Sequence, residues 1–145
     1  MARTYTKLLV HCVYGTKNRL PLIREPERVW NITREIARNL KIDITAIGGT
    51  RNHMHLLLGL PSNRNLADVL RGLKSNSSLL LREENRGFRW QDGYGAITVS
   101  PGAVPAVIRY TQNQEQHHRR KSFEDEYLEM LNRAGIDYAP EYVLD

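Results

Sequence analysis

The chain has little of what a secreted or membrane-spanning protein needs. It carries a single cysteine, Cys12, which excludes an internal disulfide. Its uninterrupted apolar runs, such as residues 56–58, are far shorter than the roughly 20 residues of a membrane-spanning helix. No basic segment followed by an apolar one opens the sequence, as it would in a secretion signal. These absences favour a cytoplasmic protein with no membrane partner.

Basic residues are in excess, and the charge is unevenly distributed along the chain. The formal net charge is +5, yet residues 122–145 contain seven of the 16 acidic residues and only one of the 21 basic ones. The rest of the chain is therefore strongly basic. A basic body with an acidic end suits the binding of a polyanion such as DNA. A charged surface without a partner would have the same composition, so charge alone does not decide between them.

Apolar periodicity predicts four strands and four helices. The strands are expected at residues 5–14, 42–48, 53–60 and 94–100, and the helices at 26–40, 66–84, 105–118 and after Ser122. The β-α-β-β-α-β order with added C-terminal helices is typical of the ferredoxin-like α+β fold, in which the first and third strands are central neighbours. No internal repeat or long linker divides the chain, so we expect residues 1–145 to form a single domain.

Two histidines flank Met54 on the third predicted strand. Side chains alternate between the two faces of a sheet, so His53 and His55 point one way and Met54 points the other. Two imidazoles about 7 Å apart on one face can chelate one divalent ion. Two buried histidines satisfied by hydrogen bonds would give the same pattern. The apolar surroundings favour the metal site, because they give a second polar histidine little structural reason to be there.

Tyr110 and Gln114 form a second candidate pair. At a spacing of four residues they are expected to share one helix face, and His117 falls on nearly the same face. A tyrosine hydroxyl can act as a covalent nucleophile, and a glutamine carbonyl oxygen can complete a metal site of two histidines. Taken alone, the pair is better explained by a tyrosine packed against the sheet and a solvated glutamine.

The combination of these motifs resembles the HUH single-tyrosine transposases of bacterial insertion sequences, including the REP-associated tyrosine transposases. HUH denotes histidine, bulky hydrophobe, histidine, which is the pattern of residues 53–55. The matching stretches span nearly the whole chain, at residues 16–19, 52–58, 73–74, 90–96, 110–114, 117–118, 123–126 and 135–138. One departure is Asn52, where members of the family often have an acidic residue.

The resemblance implies a metal-dependent enzyme that cleaves and rejoins single-stranded DNA bearing a hairpin. His53, His55 and Gln114 would bind Mg²⁺ or Mn²⁺, which polarises the scissile phosphate. Tyr110 would attack phosphorus and remain joined to the 5′ end, so that the strand can be resealed without ATP. Free tyrosine is only about 0.1% ionised at pH 7, which calls for a nearby cation. No small-molecule substrate is expected.

Partners and supporting residues follow from the same resemblance and from the predicted sheet. Lys17, Arg19, Arg71 and Lys74 are expected to contact DNA phosphates. His11, on the strand beside the two histidines, is either their hydrogen-bonding partner or a core residue, and we favour the core. The uncharged strand at residues 94–100 is expected at the sheet edge, where nothing blocks pairing. We therefore expect a two-fold homodimer, in which a tyrosine helix can complete the neighbour's histidine site.

Two other functions remain open at this stage. A host-adapted nuclease acting on REP hairpins would use the same residues, and hairpin-forming DNA around the gene would distinguish it from a mobile element. A non-catalytic ferredoxin-like nucleic-acid-binding module is the second alternative. Such modules read bases with aromatic residues of the sheet, whereas this sheet centre offers histidines.

Overall fold

The sheet has four antiparallel strands in the order β2-β3-β1-β4, in a computed structural model that describes residues 2–145. The strands are β1 (Leu9–Gly15), β2 (Asp43–Gly49), β3 (His53–Gly59) and β4 (Gly95–Thr98). β1 and β3 pair along their whole length, from Leu9 opposite Gly59 to Gly15 opposite His53. The predicted ferredoxin-like α+β fold and its central pair of strands are therefore confirmed.

Two long helices, α1 (Pro26–Asn39) and α2 (Leu66–Glu84), cover one face of the sheet. Asn65 caps α2 as expected, because its side chain accepts a hydrogen bond of 2.8 Å from the Asp68 amide. The main core lies between these helices and the sheet, and Met54 is fully buried in it. Among the described residues, no helix combines the length and apolar character that crossing a membrane requires.

Three shorter helices cover the opposite face: α3 (Val104–Gln112), α4 (Gln114–His117) and α5 (Phe123–Arg133). Ser122 caps α5 by accepting from the Asp125 amide at 3.2 Å. α5 packs through Phe123, Tyr127 and Leu131 on Val13 of β1. This second face carries the functional side chains described below.

Gly48 allows α3 to lie directly on β2. A Cβ atom at this position would be 1.8 Å from the carbonyl oxygen of Thr111, which is far inside van der Waals contact. Any larger residue would push the helix backbone away from the sheet. The close approach matters because Tyr110 and Gln114 flank Thr111 and reach towards β3.

Three predicted boundaries differ from the structure. β1 begins at Leu9 rather than at residue 5, because its partner β3 ends at Gly59 and the nearby Pro61 has no amide hydrogen with which to extend the ladder. β4 covers only four residues of the predicted 94–100, since it pairs only with residues 10–13 of β1. The single helix expected at 105–118 is divided at Asn113, whose φ of −100° and ψ of 23° are not helical.

Candidate metal centre and nucleophile

His53 and His55 lie side by side on the face of β3 that α3, α4 and α5 cover. Both side chains are fully buried, while Met54 between them is buried in the core on the other face. The predicted alternation is therefore confirmed. Burial and the neighbouring His55 lower the pKa of His53 to about 3, so its imidazole is neutral at pH 7. A neutral imidazole is the form that binds a metal ion.

Four ligand atoms from His53, His55, His118 and Glu126 lie within 4.8 Å of one another. Glu126 Oε1 is 2.9 Å from His55 Nε2, 3.1 Å from His118 Nε2 and 3.6 Å from His53 Nε2. Gln114 Oε1 adds a fifth atom, 3.1 Å from His53 Nε2 and 2.9 Å from His118 Nε2. We call these five side chains the ligand cage. Three nitrogens, a carboxylate and an amide oxygen form a donor set that suits a divalent transition metal.

The contacts of His118 make the cage suitable for a cation. Its Nδ1 lies 2.6 Å from the Lys121 carbonyl oxygen, which can only accept, so Nδ1 carries the hydrogen. In a neutral ring Nε2 then carries a lone pair and no hydrogen, and it faces the oxygens of Gln114 and Glu126. The Gln114 amide is oriented by its Nε2, which donates to the Tyr110 carbonyl at 3.0 Å. A divalent ion between these three acceptors would satisfy all of them at once, and the donor set of the cage fits such an ion.

The other ring nitrogens of the two β3 histidines are also engaged. His53 Nδ1 is 2.9 Å from both Thr50 Oγ1 and Asn52 Oδ1, so the departure noted at Asn52 still provides an oxygen partner for His53. His55 Nδ1 is 2.9 Å from His11 Nε2. Contacts of this kind fix the orientation of a metal-binding imidazole and direct its second nitrogen at the ion.

Tyr110 reaches the same site from α3 of its own chain. Its hydroxyl donates a short hydrogen bond to Glu126 Oε2, and its ring lies 5.5 Å from that of His55, edge to face. Burial and the Glu126 carboxylate raise the pKa of Tyr110 well above its ordinary value of 10. The charged group nearest to the hydroxyl is thus a carboxylate, where the sequence led us to expect a cation.

Glu126 connects Tyr110 to the cage. Burial alone would raise the pKa of this carboxyl group, but its contacts with His118, His55 and Tyr110 hold the pKa far below its usual range. Its second oxygen also lies 3.1 Å from His117 Nε2, although the geometry there makes no hydrogen bond. Glu126 is therefore ionised and can accept a proton or bind a cation.

The structure thus brings together His53, His55, Gln114 and Tyr110, the four residues chosen from the sequence for metal binding and catalysis. It adds Glu126 and His118. Two roles were left open for His11, and the structure shows the hydrogen-bonding partner rather than the favoured core role: His11 is buried, but it contacts His55 because the register places it diagonally across from that residue. Burial and the neighbouring His55 lower the pKa of His11 to about 3.

Sequence reasoning missed Glu126, although a signal was present. It lies three residues after Phe123, on the face of α5 that is otherwise apolar, and only 4% of its surface is exposed. A carboxylate on a buried helix face requires a partner. Phe123 itself stacks on the His53 ring, with centroids 4.3 Å apart and planes at 11°.

The four basic residues expected to contact DNA are not gathered at this site. Lys17 lies 3.6 Å from Asp92, and Arg19 and Arg71 are 2.7 Å from acidic partners. The ammonium of Lys74 donates to the carbonyl oxygens of residues 92 and 93, and burial lowers the pKa of Lys74 to about 8. Their contact with DNA remains a prediction.

The fold and the site together define an α+β protein with a histidine-rich cage, able to hold a metal ion, beside a tyrosine. Residues 4–114, more than half of the chain, match the family described as "Transposase IS200 like". The protein belongs to this family of enzymes, which cleave and rejoin DNA, and the resemblance noted in the sequence is confirmed at this level. The family assignment favours catalysis over a non-catalytic nucleic-acid-binding module.

Two solved structures share the fold. A candidate transposase from Deinococcus radiodurans R1 matches with a TM-score of 0.63 and 25% identity, over 79% of this chain and 96% of that one. A REP-associated tyrosine transposase bound to a REP hairpin matches with a TM-score of 0.57 and 16% identity, over 77% of this chain and 68% of that one. A comparison with curated proteins found no significant match.

Proposed function

We propose that this protein cleaves hairpin-bearing single-stranded DNA with Tyr110 as the nucleophile and rejoins it through a 5′-phosphotyrosine linkage. The observation that carries the proposal is the position of Glu126. Its two carboxylate oxygens join the Tyr110 hydroxyl to the ligand cage, so that nucleophile and metal centre meet at one side chain. The REP hairpin bound by one structural neighbour supports the choice of substrate.

The cage is proposed to hold Mg²⁺ or Mn²⁺ through His53, His55 and Gln114, with His118 and Glu126 as additional ligands. When bound, a divalent ion supplies Lewis-acid stabilisation of charge on the scissile phosphate. Three imidazole nitrogens favour Mn²⁺ over Mg²⁺, because nitrogen is a softer donor than oxygen. The engaged Nδ1 atoms of the histidines keep the Nε2 atoms directed at the ion.

The protein's own residues account for the movement of the proton in cleavage. The oxygen of Tyr110 forms a bond to phosphorus, and the bond from phosphorus to the 3′ oxygen of the preceding nucleotide breaks. The phenolic proton passes to Glu126 Oε2, to which the hydroxyl already donates. Glu126 then gives this proton, directly or through water, to the departing 3′ oxygen, which leaves as a hydroxyl. Resealing reverses each step: the 3′ hydroxyl attacks the phosphotyrosine, its proton passes to Glu126, and Glu126 returns it to the oxygen of Tyr110.

A homodimer remains part of the proposal. β4 is an edge strand of the sheet, and its four residues Gly95–Thr98 include no charge. The single chain already contains Tyr110 and the whole cage, so a shared site would require the tyrosine helix of each protomer to exchange with that of its partner.

A covalent-adduct assay tests the nucleophile. The protein is incubated with a labelled single-stranded hairpin oligonucleotide and Mn²⁺, and the product is separated on a denaturing gel. We expect a protein–DNA band with the parent and with Tyr94→Phe, a control tyrosine that lies away from the cage. Tyr110→Phe should lose the band, because only the attacking hydroxyl is removed. If Tyr110→Phe still forms the adduct, another residue is the nucleophile.

A further inference from the structure

Two cavities border Tyr110, and they differ in charge. One, of about 550 Å³, has two carboxylates, Glu126 and Glu129, and two cations, Lys121 and Arg133, in its wall. The other, of about 710 Å³, lies along α3, α4 and the turn that follows, and it is lined by Arg109, Asn113, Gln116, Arg119 and Arg120 together with Tyr110 and its neighbours. We call this second cavity the basic cleft. No carboxylate belongs to its lining.

The arginines of the basic cleft have no acidic partner in residues 2–145. Arg109, Arg119 and Arg120 are exposed, and no carboxylate oxygen of the described chain lies within 4.0 Å of their guanidinium groups. Arg19 and Arg71, by contrast, are held by acidic neighbours. Three arginines that line one cavity without internal counterions suit an anion with several charges.

We infer that the basic cleft binds the phosphates of single-stranded DNA next to the phosphate that Tyr110 attacks. This inference rests on the proposed function and adds the path of the strand. Guanidinium groups bind phosphate oxygens through paired hydrogen bonds, and the amides of Asn113 and Gln116 can reach phosphate or base atoms. The cavity on the other side of Tyr110 should attract the strand less, because Glu126 and Glu129 offset the positive charges of Lys121 and Arg133 in its wall.

The salt dependence of DNA binding tests the cleft without requiring cleavage. Binding of a fluorescein-labelled single-stranded 20-mer is measured by anisotropy between about 0.05 and 0.3 M NaCl, in the Tyr110→Phe background and without metal. Each phosphate contact on single-stranded DNA contributes about 0.7 to the slope of log K against log salt. The double variant Arg119→Gln/Arg120→Gln should lower the slope by about 1.4 and weaken binding about 25-fold at 0.1 M salt.

A matched control separates the cleft from net charge. Arg34→Gln/Arg38→Gln removes the same two charges from exposed positions on α1, across the sheet, and should leave the slope unchanged. The single variant Arg109→Gln, which should lower the slope by about 0.7, provides a second reading if the double variant folds poorly. An unchanged slope in the cleft variants, an equal fall in the control, or no salt-dependent binding by the parent would overturn the inference.

The outcomes also separate this inference from the proposed function. Adduct formation is measured in parallel with the Tyr110 protein. A normal adduct with an unchanged slope in the cleft variants rejects DNA binding by the basic cleft and leaves Tyr110 as the proposed nucleophile. A reduced slope without any adduct supports the cleft and rejects the cleavage chemistry.

Discussion

Acidification should destabilise the metal-free protein well above the pH at which carboxylates titrate. His11 and His53 are buried, and burial together with the neighbouring His55 lowers the pKa of each to about 3 from an ordinary value of 6.5. Between those pH values the unfolded chain binds two protons that the folded chain does not. The free energy of unfolding therefore rises with pH in this window, so the protein loses stability as the pH falls below 6.5.

The magnitude follows from the two shifts. From pH 7.5 to 5.5, each imidazole costs about 1.4 kcal/mol, so the pair should lower the free energy of unfolding by about 3 kcal/mol. The pKa of His117 is also lowered, mainly by burial, and acts in the same direction. Glu126 does not contribute in this range, because its pKa lies below the usual carboxyl value in the folded protein. A loss of this size is a large fraction of the stability of a typical domain.

Urea denaturation in EDTA at several pH values measures the effect. Replacing one of the two imidazoles, in His11→Leu, should roughly halve the loss between pH 7.5 and 5.5, whatever the variant does to stability at pH 7.5. The reasoning fails if the parent is as stable at pH 5.5 as at 7.5. In that case the folded protein takes up the protons, and the histidines are not held neutral as the burial implies.

Three further outcomes are expected. Glu126→Gln should weaken Mn²⁺ binding by about tenfold or more in calorimetry, because the anionic ligand is lost, and an unchanged affinity would remove Glu126 from the cage. Gly48→Ala should lower the free energy of unfolding by about 1–3 kcal/mol through overpacking against α3. The control Gly102→Ala has open space around it and should be close to neutral. Equal urea midpoints for the two variants would contradict the close approach of α3 to β2. Light scattering should show a homodimer. If protomers exchange their tyrosine helices, a mixture of the inactive His53→Ala and Tyr110→Phe proteins, allowed to exchange subunits, should regain cleavage. If cleavage does not return, each site is formed within one chain.

The sheet and the two β3 histidines could be predicted because their signals are local. Strand alternation alone places His53 and His55 on one face, and the order of elements places β3 in the centre. The contact of His11 with His55 depends on the register between β1 and β3. Val13 lies directly opposite His55, so His11 is the diagonal neighbour of His55. A shift of one residue would have turned His11 to the other face, so the sequence pattern could not decide it.

The remaining cage residues depend on docking over long separations. Glu126 meets His55 across 71 residues of chain, and His118 approaches His53 only because α4 and the turn after it fold back onto the sheet. The stacking of Phe123 on His53 determines where α5 lies, and periodicity within α5 shows only which of its residues face inward. The division at Asn113 was not visible either, since nothing in residues 105–118 interrupts a helical pattern after Pro105.

The position of Glu126 late in the chain has a consequence for biosynthesis. Chains emerge from the ribosome amino terminus first, and early segments can fold before later ones exist. β1, β2, β3 and the two helices α1 and α2 are complete by Glu84, so the sheet and its first core can form while the tyrosine and the carboxylate are still untranslated. A nascent chain at that stage carries His53 and His55 on an uncovered face of the sheet but lacks Tyr110 and Glu126. On the proposed mechanism, cleavage therefore becomes possible only after α5 has been synthesised and has packed on the sheet, and a chain released at Glu84 would be unable to cut DNA.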